Sequence, residues 1–263
     1  MTPGGRSPAG HASSFGEAAD AYAAHRPDYA RAAVRWALEP APGPRVLDLG
    51  AGTGKLTAML LDPSLVPGGD VVAVEPDPAM VAELRRSTPG ARALSGSAEA
   101  IPLPDGSVDA VLAGNALHWF DMAAAGPEIA RVLVPGGVLA GLWNLLDDGV
   151  EWVAGLARVA GSAVVGPRDT PAAWRVATSD LLPGPAAGPF GRTERAELPH
   201  EQRRTADSLV ATLATRAGVL VMPDAERAAT TGRIRSYLTG RPETARGEFA
   251  LPMRTGVLRT RRR

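Results

Sequence analysis

The chain has 263 residues, of which 45% are apolar and 21% charged, a composition that supports a folded core and excludes global disorder. Its 28 basic and 28 acidic residues cancel, so it lacks the overall positive charge typical of nucleic-acid binding. The absence of cysteine excludes disulfides, thiolate metal sites and cysteine nucleophiles. No apolar run is long enough for a membrane span or a signal peptide, and we expect a cytoplasmic protein.

The N-terminal segment predicts a tail followed by two helices. Residues 1–13 are rich in Gly, Pro and Ser without periodicity, which is typical of a flexible tail. Apolar residues at helical spacing begin at Phe15, and a second short helix is predicted from Tyr29 to Ala37, before Pro40. We expect one domain over residues 14–263.

Residues 44–145 alternate short buried strands with helices. The predicted strands lie at 45–49, 70–74, 91–95, 108–113 and 138–143, and the predicted helices lie at 55–61, 78–86 and around 127–133. A turn is predicted at Pro135-Gly136-Gly137. This alternation predicts an α/β fold with a doubly wound parallel sheet.

The C-terminal part is mainly helical. Residues 150–240 form a helical region that includes a possible strand at 193–198, and a final strand is predicted within 248–260. The arginines between 259 and 263 are interpreted as a solvated end after that strand.

The segment Val46–Thr57 (VLDLGAGTGKLT) places three glycines between a strand and a helix. Glycine lets the backbone approach a ligand closely, and the helix N-terminus offers unpaired N–H groups. A P-loop is excluded because Leu49 and Leu56 stand where that motif needs Gly and Ser or Thr. The dinucleotide-binding fingerprint G-x-G-x-x-G is incomplete, because Gly50 and Gly52 are followed by Lys55 at the position of the third glycine.

Glu75 stands 21 residues after Gly54, at the end of the second predicted strand. An acidic residue at this position accepts hydrogen bonds from the hydroxyls of an adenosine ribose. The alternative is a side chain that merely caps a helix or faces solvent.

Four segments in this order resemble the motifs of class I S-adenosylmethionine-dependent methyltransferases: VLDLGAGTG, VVAVEPDPAM, GSAEAIPLPDGSVDAVLAGNALHWF and RVLVPGGVLAGLWN. The resemblance is closest to the small-molecule branch with a type 11-like domain, which includes trans-aconitate methyltransferase and ubiquinone-pathway C-methyltransferases. It implies a Rossmann-like sheet of seven strands, mostly parallel with an antiparallel last strand. It also implies helices at 14–40 that cover the cofactor, a cofactor-binding core at 44–145 and a substrate-side insert at 150–240.

The resemblance assigns the glycine loop to the cofactor, S-adenosyl-L-methionine. Gly50, Gly52 and Gly54 would wrap its methionyl part, and Asp48 would order the loop near the ammonium group. Glu75 would hold the ribose.

The same resemblance places five further residues around the cofactor. Pro76 and Met80 would pack near the adenine, and Ser97 and Ala98 match the segment that contacts the adenine in relatives. Asn115 follows the fourth strand, where relatives line the reactive end of the cofactor.

The remaining candidates lie at the N-terminus and after the fourth strand. Tyr22 and Arg26 match a tyrosine and an Arg-Pro that relatives carry in the covering helix, and an arginine there could bind a carboxylate with two hydrogen bonds. The alternative for Arg26 is a surface position. His118 is a candidate general base, with packing as its alternative, and Trp119 and Trp143 could form the wall of an acceptor pocket.

We therefore predict a methyltransferase that acts on a small-molecule acceptor, without a nucleic-acid or membrane partner. No metal is expected, because the four histidines lack metal-ligand spacing. Two alternatives remain: an NAD-dependent oxidoreductase, which shares the strand, glycine loop, helix and acid, and a catalytically silent cofactor-binding protein of the same fold. The sequence does not predict the acceptor or the oligomeric state.

Overall fold

A computed structural model describes residues 27–182 and 188–263. The strands are β1 (Arg45–Leu49), β2 (Asp70–Glu75), β3 (Arg92–Ser95), β4 (Val108–Gly114), β5 (Leu133–Leu146), β6 (Glu194–Arg204) and β7 (Phe249–Arg261). The helices are α1 (Arg31–Leu38), α2 (Lys55–Leu60), α3 (Pro78–Ser87), α4 (Met122–Val132), α5 (Glu151–Ala160), α6 (Pro171–Ala177), α7 (Ala206–Ala214), α8 (Ala217–Leu220) and α9 (Asp224–Thr239), with a 3₁₀ turn at Leu117–Trp119. The predicted tail and first helix lie outside the described residues.

The seven strands form one sheet in the order β3-β2-β1-β4-β5-β7-β6. The first five strands of this order are parallel, and β7 runs antiparallel to both β5 and β6. The predicted fold class is therefore confirmed, including the antiparallel last strand. The direction of winding reverses between β1 and β4, and this switch point opens a crevice at the carboxyl ends of the strands.

Each face of the sheet carries its own apolar layer, because successive side chains of a strand point to opposite faces. On one face Leu47 and Leu49 pack with residues of α4 such as Ile129. On the other face Val46 packs with α1 and α2, for example with Val34. This double burial explains why the central strands read as continuous apolar runs.

The insert between β5 and β7 has a third apolar cluster of its own. Trp152 and Leu156 of α5 pack against Leu209 of α7 and Leu238 of α9, and Phe249 at the start of β7 closes the cluster. The insert is tied to the sheet where β5 ends, because the Leu146 N–H donates to the backbone oxygen of Asp169 at 2.7 Å. The loop that carries Asp169 is thereby held over the carboxyl edge.

Several boundaries differ from the sequence prediction. Helix α4 begins at Met122 rather than near Pro127, because Asp121 caps it by accepting from the Ala123 N–H. Strand β5 begins at Leu133 and includes the predicted turn, since Gly136 and Gly137 exchange backbone hydrogen bonds with Arg262. The same bonds extend β7 to Arg261. The arginines between 259 and 263, which were predicted to form a solvated end, therefore lie largely within this strand.

Helix α1 lies beside β5 and β7. The Ala30 N–H donates to the buried Thr255 hydroxyl on β7 at 2.9 Å. The Asn144 amide on β5 contacts the same hydroxyl and also donates to the Pro27 carbonyl at 2.9 Å. The hydrogen bonds of Asn144 and Thr255 thus fix the position of residues 27–30, which lead into α1.

Gly54 is a packing position at the start of α2. Its φ is +91°, and a Cβ there would come within 2.7 Å of Leu84 Cδ1 on α3. We expect Gly54→Ala to lower the free energy of unfolding by about 1–2 kcal/mol for the left-handed backbone and by about 1–3 kcal/mol for overpacking. Denaturation in urea measures this loss.

The matched control is Gly52→Ala. Gly52 also has a positive φ, of +58°, but a Cβ there would meet only Met80 Sδ, at 3.8 Å. This variant should therefore lose the backbone contribution alone. Equal losses in the two variants would contradict the packing role of Gly54.

Candidate active site

Glu75 joins the two loops that follow β1 and β2. One carboxylate oxygen, Oε2, accepts from the Gly52 N–H at 2.9 Å, and the other, Oε1, accepts from the Asp77 N–H at 3.0 Å. The side chain is 7% exposed. Burial raises the pKa of Glu75, and the two backbone donors oppose that rise. The carboxylate is thus held in place at the switch point of the sheet.

Asp48 lies beneath the same loop and is fully buried. Its Oδ2 accepts from the Thr57 hydroxyl at 2.6 Å, whereas its Oδ1 has no hydrogen-bond partner among the described residues. Burial raises the pKa of Asp48 to about 7; the Thr57 hydrogen bond opposes the rise and the charge of Glu75 adds to it. A buried oxygen without a partner is costly, and a donor or cation brought by a ligand would relieve that cost.

A cavity of about 980 Å³ lies over this edge of the sheet. The loops after β1, β2, β3 and β4 form one side, and residues 162–169 and 216–218 of the insert form the other. The sequence-predicted residues that line it are Asp48, Gly50, Gly52, Glu75, Pro76, Met80, Ser97, Ala98, Asn115 and His118. Trp119 and Trp143 line it as well.

One predicted site residue of the described ranges is not part of this lining. Gly54 faces α3, as described above, and is absent from the lining among the described residues. Tyr22 and Arg26 lie outside the described residues. Their assignments stay predictions.

Tyr29 lines the cavity, although the sequence analysis used it only as a helix marker. Its hydroxyl accepts from Asn115 Nδ2 at 3.3 Å, and it lies so close to Gly114 that a Cβ there would be 2.6 Å away. Asn115 has a φ of +52°, unusual for a residue other than glycine. No local pattern marks Tyr29, because the Asn144 and Thr255 contacts of residues 27–30 bring it to the end of β4.

His118 is hydrogen-bonded to the wall of the cavity. The Trp143 indole N–H donates to His118 Nδ1 at 3.2 Å. An indole nitrogen can only donate, so Nδ1 must supply the lone pair and the neutral ring carries its proton on Nε2. In this tautomer His118 offers a donor from Nε2, and it could accept a proton at Nδ1 only by breaking the Trp143 bond.

The insert contributes Arg168, Asp169 and Arg216 to the lining, none of which the sequence analysis selected. Arg216 Nη1 lies 2.5 Å from Asp169 Oδ1. Residues 151–263 hold 18 arginines against 11 acidic residues, an excess that does not distinguish a cavity wall from a solvated surface.

The described residues include neither a metal site nor a membrane-spanning helix. Within 27–182 and 188–263, no group of three or more His, Asp or Glu side chains is arranged to hold a metal ion. None of the helices in those ranges has both the length and the apolar composition needed to cross a membrane.

Comparison with known proteins identifies the family. Residues 47–141 match the family model described as a methyltransferase domain. An uncharacterized methyltransferase of Mycobacterium tuberculosis strain H37Rv is 41% identical over 247 residues, which cover 94% of each chain. The chain belongs to the class I S-adenosylmethionine-dependent methyltransferases. This confirms the predicted enzyme class and cofactor and favours them over an oxidoreductase, while the predicted branch stays a prediction.

More distant relatives agree with this methyltransferase assignment. An uncharacterized methyltransferase-like protein of Schizosaccharomyces pombe is 32% identical over 211 residues, which cover 78% of each chain. A solved structure from Anaeromyxobacter dehalogenans, assigned as a type II methyltransferase, is 28% identical with a TM-score of 0.63 and covers 90% of this chain and 96% of its own.

The residues present fit S-adenosylmethionine, which is a cation at its sulfur and carries an ammonium group. Five acidic side chains line the sheet side of the cavity: Asp48, Glu75, Asp77, Glu99 and Asp121. The unpartnered Asp48 Oδ1 suits a cationic donor, and the open space above Gly52 lets a ligand approach the backbone. Among the described residues, these five acidic side chains outnumber the one basic side chain on this side, Lys55, so the cofactor end of the methyltransferase is predominantly acidic.

The buried Asp48 carboxyl should make stability depend on pH. Since its pKa is about 7 in the folded chain and near 4 when unfolded, the folded chain holds a proton that the unfolded chain releases. We expect the free energy of unfolding of the wild type to fall relative to Asp48→Asn as pH rises from about 4 to about 7, and the difference to level off above that. Urea denaturation at several pH values measures it.

The exposed Asp180 supplies the control, since Asp180→Asn should follow the wild type at every pH. A constant difference between wild type and Asp48→Asn would show that Asp48 ionises in the folded chain as it does in water.

The Trp143 hydrogen bond also fixes the tautomer of His118. Nitrogen-15 NMR of the neutral imidazole should show the proton on Nε2, and Trp143→Phe should increase the population of the Nδ1–H form. A mixed tautomer in the wild type would contradict the hydrogen bond.

Proposed function

We propose that this methyltransferase transfers the methyl group to a small-molecule acceptor held in the same cavity as the cofactor. The observation that carries the proposal is the enclosure of one cavity by cofactor loops on one side and insert residues on the other. Its volume lies at the upper end of the roughly 300–1,000 Å³ of small-molecule sites. That volume suits a nucleoside cofactor with a compact acceptor rather than a polymer.

We assign the cofactor contacts from the geometry of the carboxylates. Glu75 keeps lone pairs beyond the two backbone bonds and would accept from the ribose hydroxyls. Asp48 would pair with the ammonium group through Oδ1. When bound, S-adenosylmethionine would supply an electrophilic methyl group on its positively charged sulfur, with the thioether S-adenosylhomocysteine as the leaving group.

The chain contributes mainly orientation and exclusion of water. Orientation in a closed site can supply up to about 7–11 kcal/mol of the barrier. Tyr29 and Asn115 lie at the end of β4, where the acceptor and the cofactor would meet. His118 lines the same cavity with its ring oriented by the Trp143 hydrogen bond, and its role as a general base stays a prediction.

Glu75 tests the cofactor assignment. We expect Glu75→Gln to weaken binding of S-adenosylhomocysteine about 10- to 100-fold, because a charged acceptor becomes a neutral one and a backbone donor loses its partner. Isothermal titration calorimetry measures this change. The control is Glu201→Gln on the exposed edge strand β6, which should bind like the wild type. A Glu75→Gln affinity within twofold of wild type would reject the role.

The proposed function as a whole has a direct test. The purified chain should bind S-adenosylhomocysteine but not NADH, and it should transfer labelled methyl from S-adenosylmethionine to a low-molecular-weight fraction of a metabolite extract. Transfer only to protein or nucleic acid would overturn the small-molecule acceptor. Cofactor binding without any transfer would favour the catalytically silent alternative.

A further inference from the structure

The insert side of the cavity has the opposite charge character from the sheet side. Arg168 and Arg216 line it there, together with Asp169. Asp169 is held by four contacts. Its Oδ1 pairs with Arg216 Nη1, and its Oδ2 accepts from the Gly166 N–H at 2.7 Å. Its backbone N–H donates to the Gly166 carbonyl at 3.2 Å, and its backbone oxygen accepts from Leu146 at the end of β5. Arg216 and Asp169 are only 14% and 16% exposed. This pair is therefore fixed relative to the sheet.

Counted over the described residues, one positive charge at this end is not compensated. Asp169 balances the charge of Arg216, but Arg168, which is half-buried, has no ion pair or hydrogen bond to any residue within the described ranges. Arg216 Nε is also buried without a partner in those ranges. The five other acidic lining residues belong to the loops of the sheet side. The insert end therefore has a net charge near +1.

We infer that the acceptor carries a carboxylate, which Arg168 binds while the Arg216–Asp169 pair positions the loop around it. This inference rests on the proposed function and names its substrate class. A planar guanidinium matches a carboxylate with two parallel hydrogen bonds. One uncompensated charge is balanced by a monoanion, whereas a phosphate dianion would bring an excess negative charge into a partly closed site.

The walls of the cavity favour an apolar body on this carboxylate. Trp119, Phe120, Trp143 and Pro167 line the same space, and Trp119 keeps 49% of its surface exposed although it is large and apolar. Aromatic side chains of this kind bury against flat or aliphatic ligand surfaces. The acceptor class is thus a small monocarboxylic acid with an aromatic or aliphatic body.

The experiment compares carboxylates with their own amides. Benzoate, cinnamate and hexanoate are each titrated against the protein beside benzamide, cinnamamide and hexanamide, with and without saturating S-adenosylhomocysteine. We expect at least one carboxylate to bind about 10- to 100-fold more tightly than its amide. Arg168→Gln should remove that preference while leaving the amide and S-adenosylhomocysteine affinities unchanged.

A matched control is Arg158→Gln, an exposed arginine on α5 of the same insert that does not line the cavity. This variant should keep the wild-type preference. Circular dichroism and urea denaturation establish that both variants are folded.

The outcomes separate the two proposals. Failure of S-adenosylhomocysteine to bind overturns the proposed function, and the titrations without it still measure the carboxylate preference. The acceptor inference is overturned if no carboxylate is preferred over its amide, if Arg168→Gln keeps the preference, or if phenyl phosphate binds more tightly than benzoate.

Discussion

Two carboxylates buried at the carboxyl edge of the sheet set the layout of the whole site. Removing Asp48 and Glu75 from water is unfavourable, and the fold offsets this cost with donors from its own backbone and from Thr57. The Gly52 and Asp77 donors belong to the loops after β1 and β2, and Thr57 belongs to α2, so satisfying the carboxylates also fixes these loops and the start of the helix. Asp48 Oδ1 has no hydrogen-bond partner among the described residues, and a cationic ligand would supply one.

The two ends of the cavity are chemically distinct because different parts of the fold build them. The strand ends supply acidic side chains, while the insert supplies Arg168 and Arg216. A cationic cofactor and an anionic acceptor would each lie against the complementary wall. Charge complementarity at each wall would favour the relative orientation of the two ligands that transfer needs.

The wall of the cavity near the end of β4 is held together by contacts between residues far apart in the chain. Asn144 and Thr255 fix residues 27–30 and so place Tyr29 at the end of β4. Trp143 on β5 orients His118 beyond β4. Tyr29 is thereby more than a helix residue, and the ring of His118 has a fixed orientation.

The parallel sheet, the glycine loop and the acid after β2 were predictable from the sequence, because each of these depends on neighbouring residues and on the period of the strands. The methyltransferase family was predictable as well, from four ordered segments. Three features could be found only from the folded chain: Gly54 packs against α3, Tyr29 enters the site and Arg168 lines it. Each of these features depends on a contact between residues far apart in the chain. Gly54 meets Leu84, the segment that carries Tyr29 is bound to Thr255, and the loop that carries Arg168 is bound to Leu146. No local pattern encodes such contacts.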